Sequence, residues 1–238
     1  MRLTVMFAVS LFILCIIGYN SYKEAIVLKL PTTAVDPTWH GIAITFAILG
    51  ILFGIYSASL MMEELRTKAS RTAALTTPAS PFEYWFAKWI THIVLFAAVY
   101  VLLFYLADCI RVLIFSLVYQ EYNLNIAVLG KDIITQLTKE NKSPLPLMLL
   151  SYLCIQSFYV LGSSFFSRHA LLKTTIICFI GGALFLLGDA LFVKEFMENG
   201  ISINTGETFG RAILATITAF NWIVAYYRFK EVEIIDRL

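Results

Sequence analysis

Charge is what this chain of 238 residues has least of: Asp, Glu, Lys and Arg make up 14% of it, against 59% apolar residues. A soluble domain is about a quarter charged. The balance therefore excludes an ordinary water-soluble globule and predicts a polytopic membrane protein. The formal net charge of +2 is too small for an electrostatic nucleic-acid footprint, so no nucleic-acid partner is expected. Cysteine is sparse as well. Cys15, Cys109, Cys154 and Cys178 lie far apart, in or beside apolar runs, with no CxxC pair. That spacing excludes a zinc framework or a disulfide scaffold and reads as small buried hydrophobes. The phosphate loop of an ATPase, G-x-x-x-x-G-K-[ST], is also missing. The stretch GGALFLLGDA has glycines but no lysine, and Gly181 and Gly182 read instead as places where helices pack closely. No metal, cofactor or catalytic motif is expected in the chain itself, and any ATP-driven work needs a separate subunit.

Long apolar runs are what the chain does have. About 20 apolar residues cross a bilayer as a helix. Six runs qualify or nearly do: Leu3–Tyr19, Trp39–Met62, a run from Trp85 to Ala107 that extends toward Tyr119, Leu145–Phe166, Thr174–Val193, and Ala212–Tyr227. The last is short, but Arg211 and Arg228 at its ends can snorkel, giving a span over roughly 209–228. The first run follows Met1-Arg2 in the manner of a signal peptide. The residues after it, IGYNSYKEA, offer a poor cleavage pattern, so it is read as a span. The expected fold class is all-α, one transmembrane domain over residues 1–238.

Lys and Arg in short loops set orientation. With the N-terminus inside, Arg2, Arg66, Lys68, Arg71, Arg168, Lys173, Arg228, Lys230 and Arg237 face the cytoplasm. They outnumber Lys23, Lys29, Lys131, Lys139, Lys142 and Lys194 outside. Both termini are then expected to be cytoplasmic and residues 120–143 external. In that external segment Leu124, Val128, Leu129, Ile133, Ile134 and Leu137 recur at helical spacing, predicting an amphipathic helix. Asn141–Ser143 fits a glycosylation tripeptide.

The segment Glu63–Trp85, EELRTKASRTAALTTPASPFEYW, is expected to form a cytoplasmic elbow over 63–84. Its first half has good helix formers with early negative charge. Pro78 ends that helix by disfavouring the α region at Thr77. Ser80, Pro81 and Glu83 then form a capping box with the preferred proline, so a new helix begins at Pro81 and enters the third span. An ordinary positive-inside loop with a stop signal is the competing reading.

Six spans, an elbow between the second and third, and a tail reading WIVAYYRFKEVEI resemble the permeases of ABC-2-type transporters. LTTPASPFEYWFAKW is similar to a Leu-x-x-Pro-Ala-Ser-x-x-Glu-Lys/Tyr pattern in bacterial permease-like proteins of that group. The resemblance rests on the span layout and these two stretches. It implies an ABC-2, type V exporter-like architecture in which the elbow is a coupling helix docked on an ATPase. That contact would fall on Glu64, Arg66, Lys68, Arg71, Leu75 and Pro78. ATP and Mg would belong to the ATPase partner, and the permease would pair with itself or a sister permease in a bacterial inner membrane. The substrate would be amphipathic: lipid, peptide or drug-like. Family members usually carry their external helices between spans five and six, whereas here the longer external segment follows span three. A non-transporting scaffold or regulatory subunit with a permease-like fold is the alternative.

A third reading, an intramembrane hydrolase, comes from EELRTK, which approaches a Glu-Glu-x-x-x-Arg protease motif. Lys68 stands where that motif needs Arg, and neither His92 nor His169 sits in a matching motif. Within the spans, Asp108 and Arg111 are three apart and share a helical face. They read as a structural ion pair near the outer interface, with a substrate gate as the alternative. Asp189 is expected to cap its helix or pair with Arg211, and His92 to be a packing histidine.

Overall fold

Met6, Ser10, Leu14, Gly18 and Tyr22 are all buried, so the first helix buries every fourth residue. Such a row is the ridge by which one helix packs into the groove of another. Here the ridge lies on helix α1 (Leu3–Val27), and it packs on α4 (Phe96–Val118), whose buried face is Tyr100, Phe104, Ala107, Asp108, Arg111 and Phe115. Gly18 permits the closest approach. A Cβ there would stand 2.6 Å from Cε2 of the Phe115 ring.

These coordinates are a computed structural model describing residues 3–28, 36–66, 80–120, 122, 124, 126–129, 145–166, 169–197 and 203–235, with backbone alone at 65–66, 145, 184–197, 203–209 and 232–235. The described residues form helices and turns and no strand. After α1 come α2 (Trp39–Ser59), a 3-10 turn (Glu63–Arg66) and α3 (Pro81–Trp89). A π-helical segment, Ile90–Leu95, joins α3 to α4 without a break. Helices α5 (Leu145–Phe165), α6 (Ala170–Met197) and α7 (Ile203–Ile235) complete the order.

Among the described residues four stretches are long and apolar enough to cross a membrane: Leu3–Val27, Trp39–Ser59, Pro81–Val118 and Pro146–Phe165. Ala170–Ala183 is a shorter apolar helix. The pattern on α4 agrees with a lipid surround. Arg111 is 0% exposed, while Leu113 and Leu117 on the same helix are 61% and 68% exposed. Charge inside and leucine outside is unfavourable in water and favourable in hydrocarbon. The described residues are thus all-helical in their regular structure and carry the marks of a membrane resident.

The chain divides into two units. The first contains Met1–Gly54 and Leu95–Leu145. Its core is Met6, Leu14, Ile42, Leu49, Tyr100, Phe104 and Ala107. Tyr100 fastens α4 to α2 by donating its hydroxyl to the Phe46 carbonyl at 2.7 Å. The second contains Ile55–Val94 and Pro146–Leu238. Its core gathers Ala58, Met61, Met62, Trp85, Ile93, Tyr159, Val160, Ala225 and Phe229. Lipid tails are as apolar as leucine, so helix association inside a membrane rests on close packing and polar links. The second unit has both: Asn221 of α7 donates to Ser157 of α5 at 2.9 Å, and Gly162 of α5 sits directly against Thr174 of α6.

Several expectations change. Among the described residues nothing lies within 4 Å of a Cβ built at Gly181 or Gly182, so the close packing expected there is not seen among them. Glu63–Arg66 is a 3-10 turn rather than the first turn of an α-helix. Leu124 and Ile126–Val128 are irregular where an amphipathic helix was expected to start, and Leu129 lies in a turn. The physical reason for the latter is that backbone groups of Ala127 and Leu129 bond to side chains of the core instead of to each other.

Candidate functional site

Arg111 organises a buried polar centre in the first unit. Its Nε donates to Asp108 Oδ1 at 2.7 Å, one turn back on α4. Its Nη1 donates to the Tyr22 hydroxyl at 2.5 Å and to the Thr38 hydroxyl at 3.2 Å, with Asp36 Oδ2 at 3.5 Å. Its Nη2 donates to the Ala127 carbonyl at 2.7 Å. Local structure brings these groups in. Tyr22 lies on the buried ridge of α1. Asp36 and Thr38 come from the turn entering α2, where the Thr38 carbonyl accepts from Ile42 N–H and opens the helix. Asp36 Oδ1 accepts from the Thr38 amide at 2.8 Å and its hydroxyl at 2.6 Å, which fixes the turn.

The carboxylates are as well served as the guanidinium. Asp36 Oδ2 accepts from Tyr22 at 2.9 Å and from the Ala127 amide at 3.0 Å. Asp108 Oδ2 accepts from the Leu129 amide at 2.8 Å. Asp108, Arg111 and Thr38 are 0% exposed and Asp36 is 3% exposed. Buried charge at this depth persists only when paired and hydrogen-bonded; here one guanidinium faces two carboxylates, and each of the three charged groups has at least two hydrogen-bond partners. A small cavity, about 10 Å³, remains beside it, lined by Asp36, Trp39, Ile42, Ala127, Val128 and Leu129. The arrangement offers ionic hydrogen-bond partners for main-chain amides and a carbonyl.

The second unit holds the remaining described residues singled out above. Ser80 accepts from the Glu83 amide, and the Glu83 carboxylate accepts from the Ser80 amide at 2.9 Å, a reciprocal capping box with Pro81 at the helix start. Glu64, in the 3-10 turn, accepts from Lys88 Nζ at 2.5 Å and from the Tyr84 hydroxyl, both on α3. Those bonds, Lys88 first, hold the Glu64 carboxyl below the usual carboxylate range. Above this turn α3 lies along α7. Trp89 meets Trp222 edge-on at 5.0 Å, Trp85 meets Tyr226 at 5.8 Å, and Tyr84 stacks on Phe229 at 5.6 Å. His92 falls in the π-helical segment, where its carbonyl accepts from the Ser57 hydroxyl at 2.9 Å.

Asp108 and Arg111 are therefore together, as an i,i+3 pair. Both are completely buried, and their partners are what make the charges tolerable. Ser80, Pro81 and Glu83 are together, and Glu64 is tied to the helix they start. The side chain of Arg66 and all of Lys68, Arg71, Leu75 and Pro78 lie outside the described residues, as do Asn141–Ser143 and the side chain of Asp189. Sequence reasoning missed Tyr22, Asp36 and Thr38. The available signal was Asp36-Pro37-Thr38 directly before the apolar run at Trp39, a helix-start pattern that places a carboxylate at a helix mouth.

The described residues thus define an all-helical membrane protein with a buried ionic centre in one unit and a capped, ion-paired helix start in the other. The chain matches no protein-family model, no curated protein and no solved structure.

Proposed function

We propose that the chain is the membrane-spanning permease subunit of an ATP-driven exporter of the ABC-2 type, with six spans and the segment between α2 and α3 as its coupling elbow. One observation carries the reading: both ends of that segment are fastened to α3. Glu64 at its start is held by Lys88 and Tyr84, and Ser80 at its end caps the helix with Glu83. A segment tied at both ends to one helix delivers force to that helix, which is what coupling to a soluble ATPase requires. The lengths of α6 and α7, 28 and 33 residues, are sufficient for the fifth and sixth spans. In this reading an ATPase subunit holding ATP and Mg docks on Glu64, Arg66, Lys68, Arg71, Leu75 and Pro78 from the cytoplasm of a bacterial cell. Its closure tilts the second and third spans of a permease dimer and moves an amphipathic substrate.

The test is co-purification in mild detergent, wild type against Arg66→Glu/Arg71→Glu, with orientation checked by labelling single cysteines placed at Thr76 and Lys139 from either side. The expected result is an ATPase bound to the wild type and lost from the correctly oriented variant, with binding weakened further by salt. Equal recovery from both, or no ATPase with either, refutes the docking reading and leaves the scaffold alternative.

A further inference from the structure

The chain segment seated on the buried ionic centre is held there by its backbone, with the Leu129 side chain packed against the core of the first unit. Arg111 Nη2 takes the Ala127 carbonyl, Asp36 takes the Ala127 N–H, and Asp108 takes the Leu129 N–H. Both main-chain groups of one residue and the N–H of the residue two further on point to the same side. That is how one edge of an extended strand presents itself to a neighbouring strand. Here three charged side chains stand in for the neighbour. None of the three bonds depends on which side chain the bound residue carries. The side chains of Ile126–Leu129 are half-buried, and a cavity of about 10 Å³ lies between Asp36, Trp39 and Ile42 on one side and Ala127, Val128 and Leu129 on the other.

We infer that Asp36, Asp108 and Arg111 form a main-chain clamp for an extended apolar peptide, and that Ile126–Leu129 occupies it in cis. The specificity follows from the chemistry. The ligand must present free N–H groups at two alternate residues and a carbonyl at the first, with apolar side chains between them to suit Trp39 and Ile42. Proline or an N-methylated residue at either position removes a donor and leaves a buried carboxylate short of a partner. Tyr22 and Thr38 keep the clamp in shape when vacant, because both donate to Asp36 and accept from Arg111. This inference stands on the first unit alone and is independent of the docking reading.

The probe is the acetylated, amidated peptide Ile-Ala-Val-Leu, extended by a lysine tag for solubility, against the same peptide N-methylated at its Ala and Leu. The protein is the full chain in nanodiscs. On the wild type, hydrogen exchange at the Ala127 and Leu129 amides is expected to speed up saturably with the plain peptide and not with the methylated one. In Ala127→Pro/Leu129→Pro the internal segment loses both donors. Its apparent affinity for the plain peptide is expected to rise at least about tenfold, since the apparent constant is scaled by the vacant fraction. Adding Arg111→Gln is expected to return binding to the methylated-peptide background. The wild-type exchange measurement stands even if the proline variant does not fold. Identical responses of the two amides to both peptides overturn the inference. So does saturable binding that survives Arg111→Gln in a chain retaining its helical content.

Discussion

Arg111 Nε lies 2.7 Å from Asp108 Oδ1, and neither side chain is more than 1% exposed. The pair shares α4 but not its other partners: Arg111 also reaches α1 and the turn before α2, whereas Asp108 reaches the Leu129 amide. The two residues are therefore the crossing point of four separate chain segments.

Removing either one leaves a buried charge short of its partner, and breaking a buried pair costs about 3–5 kcal/mol. Arg111→Gln is expected to lose about that much stability, because it strands Asp108 and weakens the hold on Asp36. Asp108→Asn/Arg111→Gln should lose clearly less than the sum of the two single changes. Denaturant unfolding in mixed micelles reads this directly. Additive losses would mean that the two side chains are not coupled.

Gly162 and Gly181 give a sharper contrast. A Cβ at Gly162 would fall 1.8 Å from Thr174 Oγ1 and 2.8 Å from its Cβ, so α5 and α6 would have to separate. Gly162→Ala should cost about 1–3 kcal/mol, in the range of overpacked cores. Thr174→Ala in the same chain should restore part of it. Gly181→Ala meets nothing among the described residues and should leave stability unchanged or raise it by up to about 1 kcal/mol through helix propensity. Thermal unfolding of the three variants separates these outcomes.

Glu64 supplies a pH dependence. Hydrogen bonds from Lys88 and then Tyr84 hold its carboxyl below its ordinary value of 4.5. A carboxyl with a lowered folded value stabilises the fold above its ordinary value and loses that contribution as pH falls through the lowered one. The turn at Glu63–Arg66 should therefore stay fastened through neutral pH and release only in acid. The Glu64 carboxyl carbon, followed by NMR, should titrate below 4.5 in the wild type and return toward it in Lys88→Met. Ser80→Ala should leave that titration alone while costing about 1 kcal/mol through the lost cap.

Local signals were legible where they act over a few residues. The start of α3 at Pro81 is written in Ser80, Pro81 and Glu83, and the pairing of Asp108 with Arg111 is written in their spacing of three. The rest of the ionic centre was not, because its members meet over long separations. Tyr22 and Asp36 lie 89 and 75 positions from Arg111, and no periodicity connects them. The irregular course of Ile126–Val128 was hidden for the same reason. Its helical spacing is real, but the amides of Ala127 and Leu129 find stronger acceptors in carboxylates than in their own carbonyls. The π-helical turn at Ile90–Leu95 has no sequence mark of its own.

The aromatic seam between α3 and α7 has an optical consequence. Three of the four tryptophans of the chain, Trp85, Trp89 and Trp222, belong to it, and their indole N–H groups are buried without a hydrogen-bond partner among the described residues. Indoles so placed emit toward the blue, and two rings crossing edge-on at 5.0 Å couple their transitions. Ultraviolet emission and near-ultraviolet dichroism of the unlabelled protein therefore come mainly from this seam. Any ligand or partner that parts the two helices will announce itself as a change in colour, with no dye attached.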